Sequence, residues 1–189
     1  MQNLIGRADR QISRMTRLIN DLLDISRIQE NRLKFDMEPV DLVSIVRDAV
    51  QEQRQVAYPR QISLELAAEG PVQVMAHMDR IGQVVTNYLT NALKYSEAER
   101  PVDVRLEVDG QVARVSVRDE GPGLSIEDQA RVWECFYRVP GIEVQKGSEV
   151  GLGLGLHISR TIVEQHGRQV GVGSTQGGGS TFWFTLPLR

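Results

Sequence analysis

The chain has one cysteine, Cys135, among its 189 residues. That excludes an intramolecular disulfide and suits a reducing compartment. It has no apolar run near the roughly 20 residues needed to span a bilayer, and its polar N-terminus does not read as a secretory signal. Neither sign of charge dominates. With 22 Lys and Arg against 25 Asp and Glu the net charge is −3, so there is no global attraction to nucleic acid or to an anionic membrane. Internal repeats and low-complexity tracts are also lacking. Two common phosphate-binding signatures are missing as well. No Gly-Lys-Ser/Thr loop occurs. The glycine-rich stretch "VGLGLGLHISR", Val150 to Arg160, is spaced G-x-G-x-G and follows the charged loop "EVQKGSE" instead of a strand.

What is present suffices for one ordinary domain and an appendage: 41% of the residues are hydrophobic. Residues 2–31 read as one long helix, with Ile5, Ala8, Ile12, Met15, Ile19 and Leu22 recurring at spacings of three and four. Such a seam belongs in a helical bundle or coiled coil, with a helix folded back on its own domain as the plainer alternative. "RLKFDMEPVDL" alternates, with Leu33, Phe35 and Met37 on one face, and reads as a short strand ending at Pro39. Asp41 is placed to cap a helix running to about Ala57, closed by Pro59. "QISLELAA" and "VQVMA" read as strands around a turn at Glu69-Gly70-Pro71, followed by a helix from Met78 to Tyr95. "VDVRLEVDGQVARVSVRD" is a hairpin turning at Asp109-Gly110. A short helix near Ser125–Val132, a polar loop from Arg138 to Gly151, a helix from about Leu154 to Gly167 and two strands around "QGGG" complete the chain. This interleaving argues for a two-layer α/β sandwich.

Three stretches carry chemical information. On the helix "DRIGQVVTNYLTNALKYS", Ile81, Val85, Tyr88 and Ala92 share one stripe, while Asn87, Asn91 and Lys94 share another. Carboxamide oxygens suit Mg²⁺, which keeps most of its waters and binds few protein ligands plus phosphate. A lysine suits phosphate as a point charge. A solvated polar face would have the same pattern. In "RDEGPGLS", Asp119 ends a strand beside Gly121 and Gly123, where its carboxylate can accept from an exocyclic amine such as that of adenine. A plain turn uses the same residues. The third stretch, Gly151, Leu152, Gly153, Leu154, Gly155 and Leu156, leads into a helix whose N-terminal N–H groups suit an anion. A glycine-rich hinge is the bland alternative.

Taken in order, these motifs resemble the ATP-binding domain of sensor histidine kinases. "NYLTNALKY" is similar to the family's N box, "DEGPGL" to its first glycine box, "FYR" (Phe136 to Arg138) to its F box and "GLGLGLHISRTIVEQHG" to its second glycine box. The resemblance runs from about Ile5 to the C-terminus. It implies the Bergerat, or GHKL, fold shared with DNA gyrase and a heat-shock chaperone: an α/β sandwich with a mixed sheet and helices on one face, preceded by one long bundle helix. It implies ATP and Mg²⁺ as cofactors. Asn91 would hold Mg²⁺ against the triphosphate, Asn87 would lie beside the phosphates, Lys94 would contact phosphate and Tyr95 would lie near the nucleotide. Asp119 would read the adenine amine with Ser180 or Thr181 assisting, and Gly121 and Gly123 would let adenine approach. Arg138 to Val150 would form a mobile lid, with Lys146 as an extra contact to the γ-phosphate, and Gly151, Gly153 and Gly155 would turn that lid into the next helix. Hydrolytic relatives carry glutamate where this chain has Asn87. A carboxamide cannot act as a general base, so slow ATP hydrolysis is expected.

The family's acceptor histidine sits in a "HELRTP"-like box. The chain's histidines are His77, His157 and His166, and none has that context. "RLINDLLDISRI" is similar to the second helix of the family's dimerisation hairpin, so residues 1–32 are expected to be that helix and 33–189 the catalytic domain. The sequence is thus expected to start after the acceptor and not to phosphorylate itself. The implied partners are a histidine-containing hairpin of the same or a partner kinase and a response regulator, with homodimerisation of the full-length protein. No nucleic acid and no membrane contact by this chain are expected, and the expected location is cytoplasmic, as a soluble protein or as the cytosolic part of a membrane-bound sensor. A non-enzymatic ATP-binding module and an anti-sigma-type serine kinase are the competing readings.

Overall fold

The computed structural model describes residues 2–30, 35–66, 70–142 and 151–189, without the side chains of residues 2–10, 13, 14 and 17. Two compact units divide the chain, Met1–Lys34 and Phe35–Arg189. The first contains α1 (Gln2–Gln29), along which Ile12, Met15, Ile19 and Leu22 are exposed. These are the apolar positions that the heptad-like spacing marks.

The second unit holds all the strands found among the described residues. Of the expected strand through Leu33, Phe35 and Met37, the described residues Phe35 to Met37 lie outside any strand. Leu33 lies outside the described residues, and β1 spans Glu38–Asp41. Pro39 lies inside β1, which pairs antiparallel with β3 (Gln73–Ala76) in a separate two-stranded sheet. An edge position tolerates the missing N–H of proline. Asp41 ends β1 and caps α2 (Leu42–Val56): its carboxylate accepts from the Val43 N–H at 3.1 Å and the Val72 N–H at 2.9 Å. One side chain thereby starts the helix and fixes it to the entry of β3.

β2 (Ile62–Leu66) and β3 do not pair with each other, although they read as strands flanking one turn. β2 joins the main sheet, parallel to β4 (Val102–Asp109) in the register Ile62↔Val102. The remaining strands are β5 (Val112–Asp119), β6 (Val170–Ser174) and β7 (Ser180–Pro187), all in antiparallel pairings, in the order β2-β4-β5-β7-β6. The sheet is therefore mixed. In the β4–β5 hairpin Asp109 pairs with Val112, so the loop is Gly110-Gln111, with Gly110 at φ +56°.

α3 (Met78–Tyr95) packs over β5 between α2 and α5 (Gly155–Gln165). Its inward stripe, Ile81, Val84, Val85, Tyr88, Leu89 and Ala92, is buried. The expected four-residue stripe is part of this wider one, as a helix flanked on two sides requires. Each such large apolar side chain contributes about 1.5–3 kcal/mol on burial. Tyr88, Phe182, Phe184 and Trp133 form an aromatic cluster with ring centroids 5.8–6.1 Å apart. Period-two alternation sends Ser180, Phe182, Phe184 and Leu186 of β7 to the core. The short α4 (Ile126–Arg131) is capped by Ser125, whose Oγ accepts from the Asp128 N–H at 3.0 Å.

Candidate functional site

α3 ends at Tyr95, and β5 ends at Asp119. These two ends meet at Gly121. A Cβ there would lie 2.7 Å from the Tyr95 carbonyl oxygen and 2.8 Å from Asp119 Oδ1, so no side chain fits. Asp119 is buried, and its Oδ1 accepts from the Gly121 N–H at 2.8 Å. The backbone N–H of Ser180, its register partner on β7, also donates to the carboxylate. Burial pushes the Asp119 carboxyl above its ordinary range. The two N–H donors and the nearby charges of Arg60 and Arg118 oppose that rise. A carboxylate offers about four lone-pair directions, so acceptor capacity remains for a ligand amine.

Ser180 is on the same side of the sheet as Asp119. Its hydroxyl lies 2.9 Å from Ser174 Oγ, which donates to the Gly179 carbonyl at 2.7 Å and accepts from the Leu124 N–H at 2.8 Å. Thr181 is, by sequence, an equal candidate. It pairs with Arg118, and the strand alternation turns it to the opposite face, away from Asp119. Gly123 makes a close approach to the β6–β7 turn. At φ +70° its missing Cβ makes room for the Thr175 carbonyl of the β6–β7 turn, so the residue serves a close approach within the protein.

The polar stripe of α3 faces the start of α5. Asn87 Nδ2 donates to Ser159 Oγ at 2.9 Å, and the carboxamide fills the space where a Cβ on Gly155 would stand. Lys94 lies at the other end of the stripe. Its Nζ is 3.6 Å from the position of a Cβ on Gly151 and 4.8 Å from the centroid of the Tyr95 ring. Asn91, between them, is half-buried. The structure thus brings Asn87 and Lys94 against the glycine-rich segment 151–155, though the two stretches are about 60 residues apart in sequence. α5 starts without a side-chain cap: its N-cap position is Leu154, which makes no side-chain cap hydrogen bond. A helix's first N–H groups and its aligned peptide dipoles favour an anion.

The F-box residues meet the glycine-rich segment. The Phe136 N–H donates to the Gly153 carbonyl at 3.0 Å, and Phe136 itself takes φ +65°. Tyr137 Oη donates to Asp128 Oδ1 at 2.7 Å, and the Arg131 guanidinium lies over the Tyr137 ring at 4.3 Å, so the loop is tied to α4. Hydrogen bonds from Ser125 and Tyr137 hold the Asp128 carboxyl below its ordinary range. Arg138 is exposed at the start of the expected lid, and Leu152 is exposed at its end. Residues 143–150, Lys146 included, lie outside the described residues.

The three histidines serve the protein's own packing. His157 Nδ1 is 3.0 Å from the Trp133 carbonyl. His166 is buried, with Nδ1 2.7 Å from the Ile162 carbonyl and Nε2 accepting from the His77 N–H at 3.1 Å. Phe35 packs its ring against both His77 and His166, at 5.8 and 5.6 Å. Sequence reading missed three participants. Ser159 lies on the face of α5 that contains Ile158 and Ile162, so helical spacing alone could have pointed to it. Ser174 and Arg60 act over contacts that no local pattern encodes.

A family profile described as histidine kinase-, DNA gyrase B- and HSP90-like ATPase matches residues 76–189. The chain belongs to that family, and it carries the ATP-binding catalytic domain found in sensor histidine kinases. Among curated relatives, it is 33% identical to the alginate biosynthesis sensor protein KinB of Pseudomonas aeruginosa, over 98% of this chain and 30% of that protein. It is 32% identical to the sensor histidine kinase WalK of Bacillus subtilis, over 95% of this chain and 29% of that protein. The chain therefore spans less than a third of the length of these relatives. Among solved structures, it resembles full-length ShkA in complex with AMPPNP (TM-score 0.79, 28% identity, 100% of this chain and 39% of that one). It also resembles the mycobacterial sensor histidine kinase MprB (TM-score 0.69, 29% identity, 82% of this chain and 99% of that one). Among the described residues no helix is long and apolar enough to cross a membrane.

Proposed function

We propose that this chain binds ATP with Mg²⁺ and directs its γ-phosphoryl group to a histidine on a separate helical hairpin, for relay to a response regulator. The observation that carries the reading is the junction at Gly121, where the adenine-reading candidate Asp119 and the phosphate-facing helix α3 come within contact of one another.

The donor set fits a nucleotide. Among the described residues no group of three or more His, Cys, Asp or Glu is placed to hold a metal. A single carboxamide, Asn91, suits a Mg²⁺ whose other ligands are phosphate oxygens and water. When bound, the ion would neutralise charge on the phosphate oxygens. Asp119 would accept from the adenine amine, and Ser180 would order a bridging water. Lys94 and the α5 N-terminus would hold the phosphates and balance their charge as the bond to the γ-phosphorus breaks. Asn87, held by Ser159, would border the phosphates without acting as a base toward water.

Transfer, not hydrolysis, is the chemistry such a site favours, because positioning and charge neutralisation supply most of the catalysis. The roles of His157 and His166 within the protein's own packing are consistent with an acceptor imidazole on another segment. The exposed seam of α1 fits a place in a bundle, and hence homodimerisation of the whole protein in a cytoplasmic setting. The test is a transfer assay with labelled ATP and an added hairpin bearing the acceptor. Acid-labile, base-stable label on the hairpin supports the proposal. Label that survives acid, or none on any hairpin despite tight ATP binding, refutes it.

A further inference from the structure

Arg60 lies in the loop between α2 and β2, remote in sequence from every motif of the site, yet its side chain is buried. Its guanidinium bonds span the end of α3 and the turn after it. Nη1 donates to the Leu93 carbonyl at 2.9 Å and the Ser96 carbonyl at 3.1 Å. Nη2 donates to Ser96 Oγ, and Nε donates to the Arg100 carbonyl at 3.1 Å. Ser96 is fully buried, and its hydroxyl turns back onto the Ala92 carbonyl at 2.5 Å.

A cation at a helix C-terminus satisfies carbonyls that lack intrahelical partners and opposes the negative end of the dipole. Here that terminus is Lys94-Tyr95, and the Tyr95 carbonyl lies against Gly121, two residues from Asp119. Arg100, whose carbonyl Arg60 holds, pairs its own guanidinium with Glu97 at 3.7 Å and with Glu120, the neighbour of Asp119, at 3.3 Å. The charges of Asp119 and Glu99 act on Arg60, and those of Arg60 and Arg118 act on the Asp119 carboxyl. Arg60 thus touches the segment that presents Lys94 and also places a buried positive charge near the adenine carboxylate.

We propose that Arg60 is a positioning residue for nucleotide binding: its fork holds the Lys94-Tyr95-Ser96 end of α3 in register with Asp119. The fork geometry matters, because a lysine ammonium cannot reach the same planar set of acceptors. The inference rests on the proposed nucleotide site and adds a residue that contacts no ligand.

The experiment measures Mg·ADP binding by calorimetry as a function of pH, on the whole 189-residue chain, for wild type, Arg60→Met and Arg60→Lys, with thermal unfolding of each. In wild type, binding fades at low pH as Asp119 takes up a proton. Arg60→Met is expected to weaken binding by about tenfold at neutral pH and to move that acid limb to higher pH. Arg60→Lys is expected to weaken binding severalfold and leave the limb in place. A residue that served only to cap the helix would weaken binding without moving the limb. Arg60→Met with unchanged affinity and an unmoved limb overturns the inference. If Arg60→Met does not fold, Arg60→Lys decides, and wild-type affinity in it overturns the inference. Wild-type protein that binds no Mg·ADP at all overturns the site itself, an outcome distinct from either.

Discussion

Asn87 on α3 donates a 2.9 Å hydrogen bond to Ser159 on α5, and its carboxamide occupies the space that a Cβ on Gly155 would need. One side chain thus joins the polar stripe of the first helix to the glycine-rich start of the second. Gly155→Ala would force the carboxamide to move. The expected cost is about 1–3 kcal/mol of stability with a loss of nucleotide affinity. Ser159→Ala removes the bond without the clash and should affect affinity less. Calorimetry and thermal unfolding of the two variants check this ordering, and a Gly155→Ala protein that matches wild type in both contradicts the packing.

The same residue bears on hydrolysis. A carboxamide at position 87 gives water no general base. The purified chain is expected to turn over ATP slowly in a phosphate-release assay. Rapid turnover that survives Asn87→Ala would show that this reasoning is wrong.

Tyr88 is fully buried, and among the described residues its hydroxyl has no hydrogen-bond partner. Burial pushes the phenol far above its ordinary range. An unpartnered buried hydroxyl costs about 1–3 kcal/mol. Tyr88→Phe keeps the aromatic contacts with Phe182 and Phe184 and removes the hydroxyl, so its melting temperature should rise. A lower one would mean that the hydroxyl has a partner.

His166 gives a pH dependence with a definite sign. Burial pulls its pKa below the unfolded value of 6.5, despite the bond to the Ile162 carbonyl, and His77 adds to the lowering. The unfolded chain therefore binds the proton first. Stability is full above pH 6.5 and falls as pH drops from there to the folded-state pKa. Protonation also gives Nε2 a hydrogen facing the His77 N–H, at the start of α3. Denaturant midpoints across this range should show the slope in wild type and a shallower one in His166→Gln. Equal slopes would assign the effect to other groups.

Much of the site was legible because local periodicity built it. The 3.6-residue spacing gave both faces of α3, and the alternation around Gly110 gave the hairpin that ends at Asp119. Elements whose pairing is set at long range were not legible. Nothing in "QISLELAA" says that β2 lies parallel to β4, and nothing in "EPVD" says that β1 pairs across 35 residues with β3. Thr181 is a different case. Once Asp119 is paired with Ser180, the two-residue period excludes it, so the register was the missing information. Arg60 had no local signal, since its acceptors are 33 to 40 residues further along the chain.

The most direct test is calorimetry of Mg·ADP binding to wild type and Asp119→Asn, alongside thermal unfolding of the ligand-free proteins. Burial raises the Asp119 pKa above its ordinary 3.8, so the ionised carboxylate costs the folded state stability at neutral pH. Asp119→Asn is therefore expected to melt at a higher temperature than wild type while losing magnesium-dependent ADP binding. A wild-type protein that is folded but shows no such binding, or an Asn variant that binds as wild type does, would contradict a nucleotide site built around this carboxylate.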